Sequence, residues 1–326
     1  MNQRLRSFIM DVFFLLAIIF LLVLSVSACN RDTDYKSVDF RQKSDAVRTH
    51  QAVSGRKTLQ VAVAAMISPK ETFIYYRELI DYIGARVDHD TVLVQRKTYG
   101  EINDLLARQD IDLAFICTGP FVTDSEKNGF EAIATPVIRG KPLYQSYLIV
   151  YRDSPFQTIE DLKGKSFAFT DPDSNSGALV PRYWLKMMDT RPETFFQTVT
   201  YTYSHDNAIM AVAKQLVDAA AVDGHLWEYY QQRNAFYSEK TRVIKKSEPF
   251  GSPPIVVASS MSPDLKSALV HIVLTMHDDP EGLRILSGLL IDRFESPKAE
   301  WYAPVKEMMD RLSRNDEEGG DDSGKS

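Results

Sequence analysis

The sequence predicts a two-lobed α/β protein, and three observations carry that expectation. Short apolar runs alternate with segments of helical periodicity, the grammar of βαβ units around a parallel sheet. The pattern restarts after residue 144, so the chain builds two such units in succession. Polar clusters recur where the strand candidates end in both halves, which is where open α/β sheets bind ligands. At 326 residues and 44% hydrophobic, the chain has enough apolar material to fill two cores. A formal net charge of -6 argues against a nucleic-acid partner. It leaves a local anion site open, because such a site depends on nearby N–H groups and dipoles. Cys29 and Cys117 are the two cysteines, too few for a disulfide framework or a multi-cysteine metal site.

The chain opens with Arg4 and Arg6, then a nearly unbroken apolar run over 12–26, then Val26-Ser27-Ala28-Cys29. A basic start, an apolar run and small residues form a secretory signal. The run falls short of the about 20 apolar residues a membrane span needs. The small-small-Cys ending resembles a bacterial lipobox, in which Cys29 is lipidated and becomes the mature N-terminus. An uncleaved anchor helix is the alternative, and either tethers the body outside the cytoplasmic membrane. Residues 1–28 are thus expected to be a signal peptide and polar residues 29–56 a flexible tether.

Residues 59–64 read as a buried strand. A helix follows, with Phe73, Ile74, Leu79, Ile80 and Ile83 close to helical spacing. Residues 91–94 make a second strand and 99–106 a short helix with Ile102, Leu105 and Leu106 on one face. Residues 112–117 are a third strand, stopped at Thr118-Gly119-Pro120, where Pro120 suits the first turn of a helix. The second unit has strands at 144–151, 166–169, 198–203 and 219–222, with helices at 208–217 and through Leu226, Trp227 and Tyr230. A last strand at 255–258 and helices at 265–276 and 282–290 close the body. Residues 57–146 with 248–312 are expected to form the first lobe, 147–247 the second, and 313–326 a disordered acidic tail. Two crossings between lobes make a hinge, with the ligand in the cleft.

The stretch TDPDSNSGALVP at 170–181 joins a strand to a helix. Ser174, Asn175 and Ser176 can cap helix N–H groups, and Gly177 lets a ligand approach the backbone. Strand, turn and helix N-terminus together make an anion site, although an ordinary capped turn needs the same residues. Equivalent strand ends carry Ser204-His205-Asp206 and Asp223 in the second half. In the first half they carry Met66-Ile67-Ser68, Thr118-Gly119 and Tyr99.

AAMISPKETFIYYRELIDYIG at 64–84, KTYGEINDLLARQDIDLAFICTGPF at 97–121, DLKGKSFAFTDPDSNSGALVP at 161–181 and YSHDNAIMAVAKQLVDAAAVDG at 203–224 together resemble the phosphate/phosphite/phosphonate-binding family. MHDDPEGLRILSGLLIDRF at 276–294 fits as well. These proteins are the substrate-binding partners of ABC importers. The resemblance implies a type II periplasmic-binding-protein fold with a hinge and an interlobe ligand cleft. It implies a small phosphorus oxyanion as ligand, a membrane permease as partner, no cofactor, no metal, no catalysis and a lipid-anchored monomer in the cell envelope.

The family's oxyanion-gripping loop matches Ser174, Asn175 and Ser176, with Asn175 where Thr is commoner. Its His-acid pair matches His205 and Asp206, and the acid of the next strand end matches Asp223. His205 can donate to the oxyanion, which would favour its charged form, or bond backbone instead. Asp206 can accept from a P–OH group or cap the next helix, and Asp223 can accept the same proton or pair with a ligand ammonium. Thr118 is a donor candidate from the first lobe, and Tyr99 and Phe73 are candidate aromatic contacts. Three rival readings remain. A secreted hydrolase has Ser, His and Asp but no G-x-S-x-G elbow here. A metal site could use His205, Asp206, Asp223 and His225, without a tight ligand motif. A ligand-sensing partner of a membrane receptor would keep the same fold.

Overall fold

The computed structural model describes residues 56–318. The signal peptide, Cys29 and the tether up to residue 55 lie outside the described residues, as do 319–326.

The first sheet holds β1 (Lys57–Val63), β2 (His89–Val94), β3 (Leu113–Phe115), β4 (Phe130–Val137), β12 (Ile255–Ala258) and β13 (Arg293–Glu295), in the order β13-β4-β12-β3-β1-β2. The second holds β6 (Ser146–Tyr151), β7 (Ser166–Phe169), β8 (Thr198–Tyr201), β9 (Ala219–Asp223) and β10 (Thr241–Lys246), in the order β10-β6-β9-β7-β8. Between them, β5 (Leu143–Tyr144) pairs antiparallel with β11 (Phe250–Gly251), where the chain crosses in each direction. These are the two lobes and the hinge of a type II periplasmic binding protein.

The sheets are mixed rather than parallel throughout. β1 runs parallel to β2 and β3, and β7 parallel to β8 and β9. β12 and β6 run antiparallel to their neighbours because each begins at the hinge. A strand entering from the crossing must run away from the cleft, opposite to strands that run toward it. That polarity puts the C-terminal ends of β1, β2, β3, β7, β8 and β9 at the interlobe face.

Helix α1 (Pro69–Arg86) buries Leu79, Ile80 and Ile83 against Val61, Leu113 and Val257 in the first core. Its Phe73, a candidate aromatic contact, is 56% exposed. Helices α2 (Tyr99–Ala107) and α3 (Thr118–Asn128) follow β2 and β3. In the second lobe α4 (Val180–Lys186), α5 (Pro192–Phe195), α6 (His205–Ala213), α7 (Gly224–Arg233) and α8 (Ala235–Ser238) surround the sheet. Helices α9 (Pro263–Leu274) and α10 (Pro280–Gly288) return to the first lobe. Helix α11 (Ala303–Glu318), which the sequence placed with the first lobe, packs on α3 of that lobe and also on α4 of the second. Val305 and Met308 enter the second-lobe core with Phe167 and Trp184, beside Tyr144 and Phe250 of the hinge. The helix also runs past Ser313, where a disordered tail was expected. Once its apolar face is seated, each further residue adds a hydrogen bond without a new nucleation cost.

Candidate ligand-binding cleft

Backbone and carboxylate groups at the strand ends join the lobes directly. The His205 N–H donates to the Met66 carbonyl at 2.9 Å. The Ser68 N–H donates to Asp206 Oδ1 at 3.0 Å, and the Tyr99 N–H donates to Asp171 Oδ2 at 3.0 Å. Ser68 is the N-cap of α1 and Tyr99 is the first residue of α2. Asp206 and Asp171 therefore cap helices of the opposite lobe, where a carboxylate meets free N–H groups and the positive dipole end. The sequence offered Asp206 as a ligand contact or a cap on its own helix; its Oδ1 is engaged across the lobes, at the start of α1. Asp171, which directly precedes Pro172, is fully buried in the same role. Burial pushes its carboxyl above the usual range, against the pull of the Asp173 and Tyr99 N–H groups. Gly119 fits under this seam because a Cβ there would sit 2.3 Å from the Asp173 carbonyl oxygen.

The loop after β7 is built for close packing. Ser174 caps it, its Oγ accepting the Gly177 N–H at 3.0 Å. The Ala178 and Leu179 N–H groups both reach the Ser174 carbonyl, at 3.1 and 2.9 Å, and widen Asn175–Leu179 into a π-turn before α4. Gly177 is required by Thr170, whose Oγ1 would lie 1.8 Å from an added Cβ, rather than by close approach of a ligand. Asn175 Nδ2 donates to the Tyr144 hydroxyl at 2.9 Å, and the Ser146 hydroxyl donates to the Ser176 carbonyl at 2.6 Å. Both partners come from the hinge region, so the loop's position is tied to the crossing strands.

What these bonds leave over defines the candidate site. Asn175 Oδ1, Ser176 Oγ, Ser204 Oγ, Thr170 Oγ1 and the Tyr99 hydroxyl are buried without a protein partner. Unpaired buried polar atoms are costly, about 1–3 kcal/mol each. Burial, and then the neighbouring Cys117, Asp171, Asp223 and Tyr144, hold the Tyr99 hydroxyl well above its ordinary pKa. That charge coupling places Tyr99 of the first lobe within electrostatic reach of Asp223 of the second. Thr118 is also buried, but its hydroxyl donates to the Gly251 carbonyl at 2.8 Å and pins α3 to the hinge strand β11.

His205 accepts the Asp223 N–H on Nδ1 at 3.0 Å. Nδ1 therefore carries no proton, and the neutral ring keeps Nε2–H as its donor. Burial pushes the His205 pKa down to about 3. The charged histidine expected beside an anion is thus not the form this fold holds. Asp223 caps α7, its Oδ1 accepting the Leu226 N–H at 3.1 Å. Burial raises its carboxyl, opposed by His225 and the cap bonds. His225 Nε2 lies 3.1 Å from the Leu143 carbonyl. Among the described residues no three His, Cys, Asp or Glu side chains converge as a metal set. Sequence reasoning missed Asp171, Thr170, Tyr144 and Ser146. Asp171 was the most accessible of these, since it directly precedes the Pro172 turn at a strand end.

Residues 61–302 match the family model for the periplasmic phosphonate-binding protein of ABC transporters. The phosphonates-binding periplasmic protein of Escherichia coli is 27% identical over 185 residues, covering 56% of this chain. That alignment spans about half of the relative's length, 54%. A binding component of an ABC phosphonate transporter from Pseudomonas aeruginosa superposes with a TM-score of 0.76 at 21% identity, covering 80% of this chain and 88% of its own. A Prochlorococcus marinus protein solved with methylphosphonate gives 0.72 at 17% identity, covering 78% and 98%. With the family match extending over most of the folded body, this chain belongs to the phosphonate-binding family of periplasmic substrate-binding proteins of ABC transporters.

Proposed function

We propose that this protein captures a small phosphonate between its lobes and presents it to an ABC permease, without transforming it. The observation that carries this reading is the set of unpaired buried groups at the interlobe face. Ser176 Oγ, Ser204 Oγ and the Tyr99 hydroxyl supply neutral donors. The Nε2–H of His205 adds another. Neutral hydrogen bonds to an anion are stronger than those between neutral groups, and closure removes competing water. Asp223 selects among anions: a buried carboxyl accepts from a P–OH group, whereas sulfate has no proton to offer at neutral pH. Ser174 and Gly177 shape the loop, Thr118 sets the hinge, and Asp206 with Asp171 holds the closed form. Cys29 supplies the lipid anchor that keeps a monomer beside its permease at the cell envelope.

Titration calorimetry against phosphate, phosphite, methylphosphonate and aminoethylphosphonate tests the reading. Saturable binding of a phosphonate in preference to sulfate is expected. A cleanly folded protein that ignores all four would defeat it.

A further inference from the structure

An arginine stands where a tight turn ordinarily takes asparagine or glycine. Ile138 and Lys141 face each other as a bridge, each N–H donating to the other's carbonyl, at 2.9 and 3.2 Å. Arg139 and Gly140 between them both lie in the left-handed region, at φ 53° and 73°. That is a two-residue hairpin turn of the primed kind, whose first position favours Asn, Asp or Gly. A long side chain there carries a conformational cost, and such an outlier directs attention to what its side chain does. The first lobe fixes the turn: the Gly140 N–H donates to Asp292 Oδ2 at 2.7 Å, and the Asp292 N–H to the Val137 carbonyl at 2.8 Å.

The Arg139 side chain reaches the other lobe. Its Nη1 donates to Glu228 Oε2 on α7 at 2.5 Å. The second lobe has already positioned that carboxylate. The Tyr147 hydroxyl donates to Glu228 Oε1 at 2.6 Å, and Lys246 Nζ donates to the same hydroxyl at 3.0 Å while lying 4.2 Å over the ring. Tyr147 is buried, and the Glu228 side chain is only 21% exposed. Surface ion pairs contribute little when two flexible side chains must both be ordered in open water. Here one partner is ordered within its own lobe and largely removed from water. The other ion pairs of α1, Arg86–Asp279 and Glu78–Arg284, stay within the first lobe.

We infer that Arg139 is a latch: a charge set on a strained turn of the first lobe, engaging Glu228 when the lobes close and slowing their reopening. It touches no ligand and acts through the position of α7. The inference rests on the phosphonate reading only for the compound used to load the cleft.

The test uses a Cys29→Ser chain with fluorophores at Ser267→Cys of α9 and Leu216→Cys beyond α6, both exposed, while Cys117 is buried. Single-molecule energy transfer gives the dwell time of the closed form with and without methylphosphonate. Arg139→Asn suits the turn and lacks the charge. It is expected to keep or raise the unfolding temperature yet shorten the closed dwell about tenfold, the share of one hydrogen bond to a charged group. Salt should shorten the dwell of the unmodified protein and barely change that of Arg139→Asn. Glu228→Gln keeps an oxygen for Tyr147 and should match Arg139→Asn, with the double variant no worse than either. Equal dwell times in all four proteins overturn the latch, as do losses that add in the double variant. If methylphosphonate leaves the closed population of every protein unchanged while the variants still differ, the latch stands and the phosphonate reading falls. A closed form seen in no sample, loaded or not, sinks both.

Discussion

Gly119→Ala tests whether lobe closure, rather than any single ligand contact, sets affinity. The added Cβ would stand 2.3 Å from the Asp173 carbonyl oxygen and 3.1 Å from the Asn175 nitrogen, both across the cleft. Ordinary contact begins near 3.4 Å, so the lobes must part by about 1.1 Å there. The bonds from His205 N, Ser68 N and Tyr99 N, now 2.9–3.0 Å, would stretch to about 4 Å, beyond hydrogen-bonding distance. A neutral bond contributes about 1 kcal/mol and each bond to a carboxylate about 1.5 kcal/mol or more. The closed form is then destabilised by about 4 kcal/mol, up to a thousandfold in affinity. Alanine suits the first turn of α3, so the fold itself should survive. Calorimetry with methylphosphonate reads the affinity, and small-angle scattering with saturating ligand reads the shape. The ligand-free variant should keep its far-ultraviolet dichroism. An affinity within threefold of the unmodified protein, with the same compaction on binding, would refute the closure argument.

Three further outcomes follow from individual side chains. Ser176→Ala removes a buried hydroxyl with no protein partner and should weaken binding of a charged phosphonate by about 1.5–3 kcal/mol in the same calorimeter; unchanged affinity excludes it from the site. His205 stays neutral in the fold down to about pH 3, whereas its ordinary value is 6.5. The unfolded chain takes up the extra proton between those values, so this residue's contribution is complete above pH 6.5 and is lost as pH falls through the window. Relative to His205→Gln, the unmodified protein should lose about 2 kcal/mol between pH 8 and pH 5 in urea unfolding; parallel pH profiles would contradict a neutral His205. Met308→Ala opens a cavity under α11 at a residue 1% exposed and should lower unfolding free energy by about 2–5 kcal/mol in denaturant melts. A loss under about 0.5 kcal/mol would mean that α11 does not hold the second lobe.

The alternation of strand and helix was readable because each element carries its own period. β1, β7 and β9 are apolar runs, and α1 and α6 show helical spacing. β4 and β10 were missed because FEAIATPV and TRVIKK carry charges or proline and gain their partners from distant strands. Mixed sheet polarity was hidden for a related reason: a strand's direction depends on where the chain enters its lobe. The polar strand ends were visible residue by residue. Which hydroxyls remain unpaired was not, because Thr118 is consumed by Gly251 and Ser174 by Gly177, one of them 133 residues away.

The stretch from Thr170 to Pro181 shows the division best. Its local chemistry, a capped turn opening a helix, follows from Ser, Asn and Gly in that order, since capping is a short-range hydrogen-bonding problem. Its surroundings are long-range: Tyr144 and Ser146 of the crossing strand, Gly119 and Tyr99 of the facing lobe. The carboxylates divide the same way. Their positions at strand ends are local facts of sequence. That Asp206 and Asp171 cap helices across the cleft while Asp223 caps its own depends on how two separately folded sheets meet.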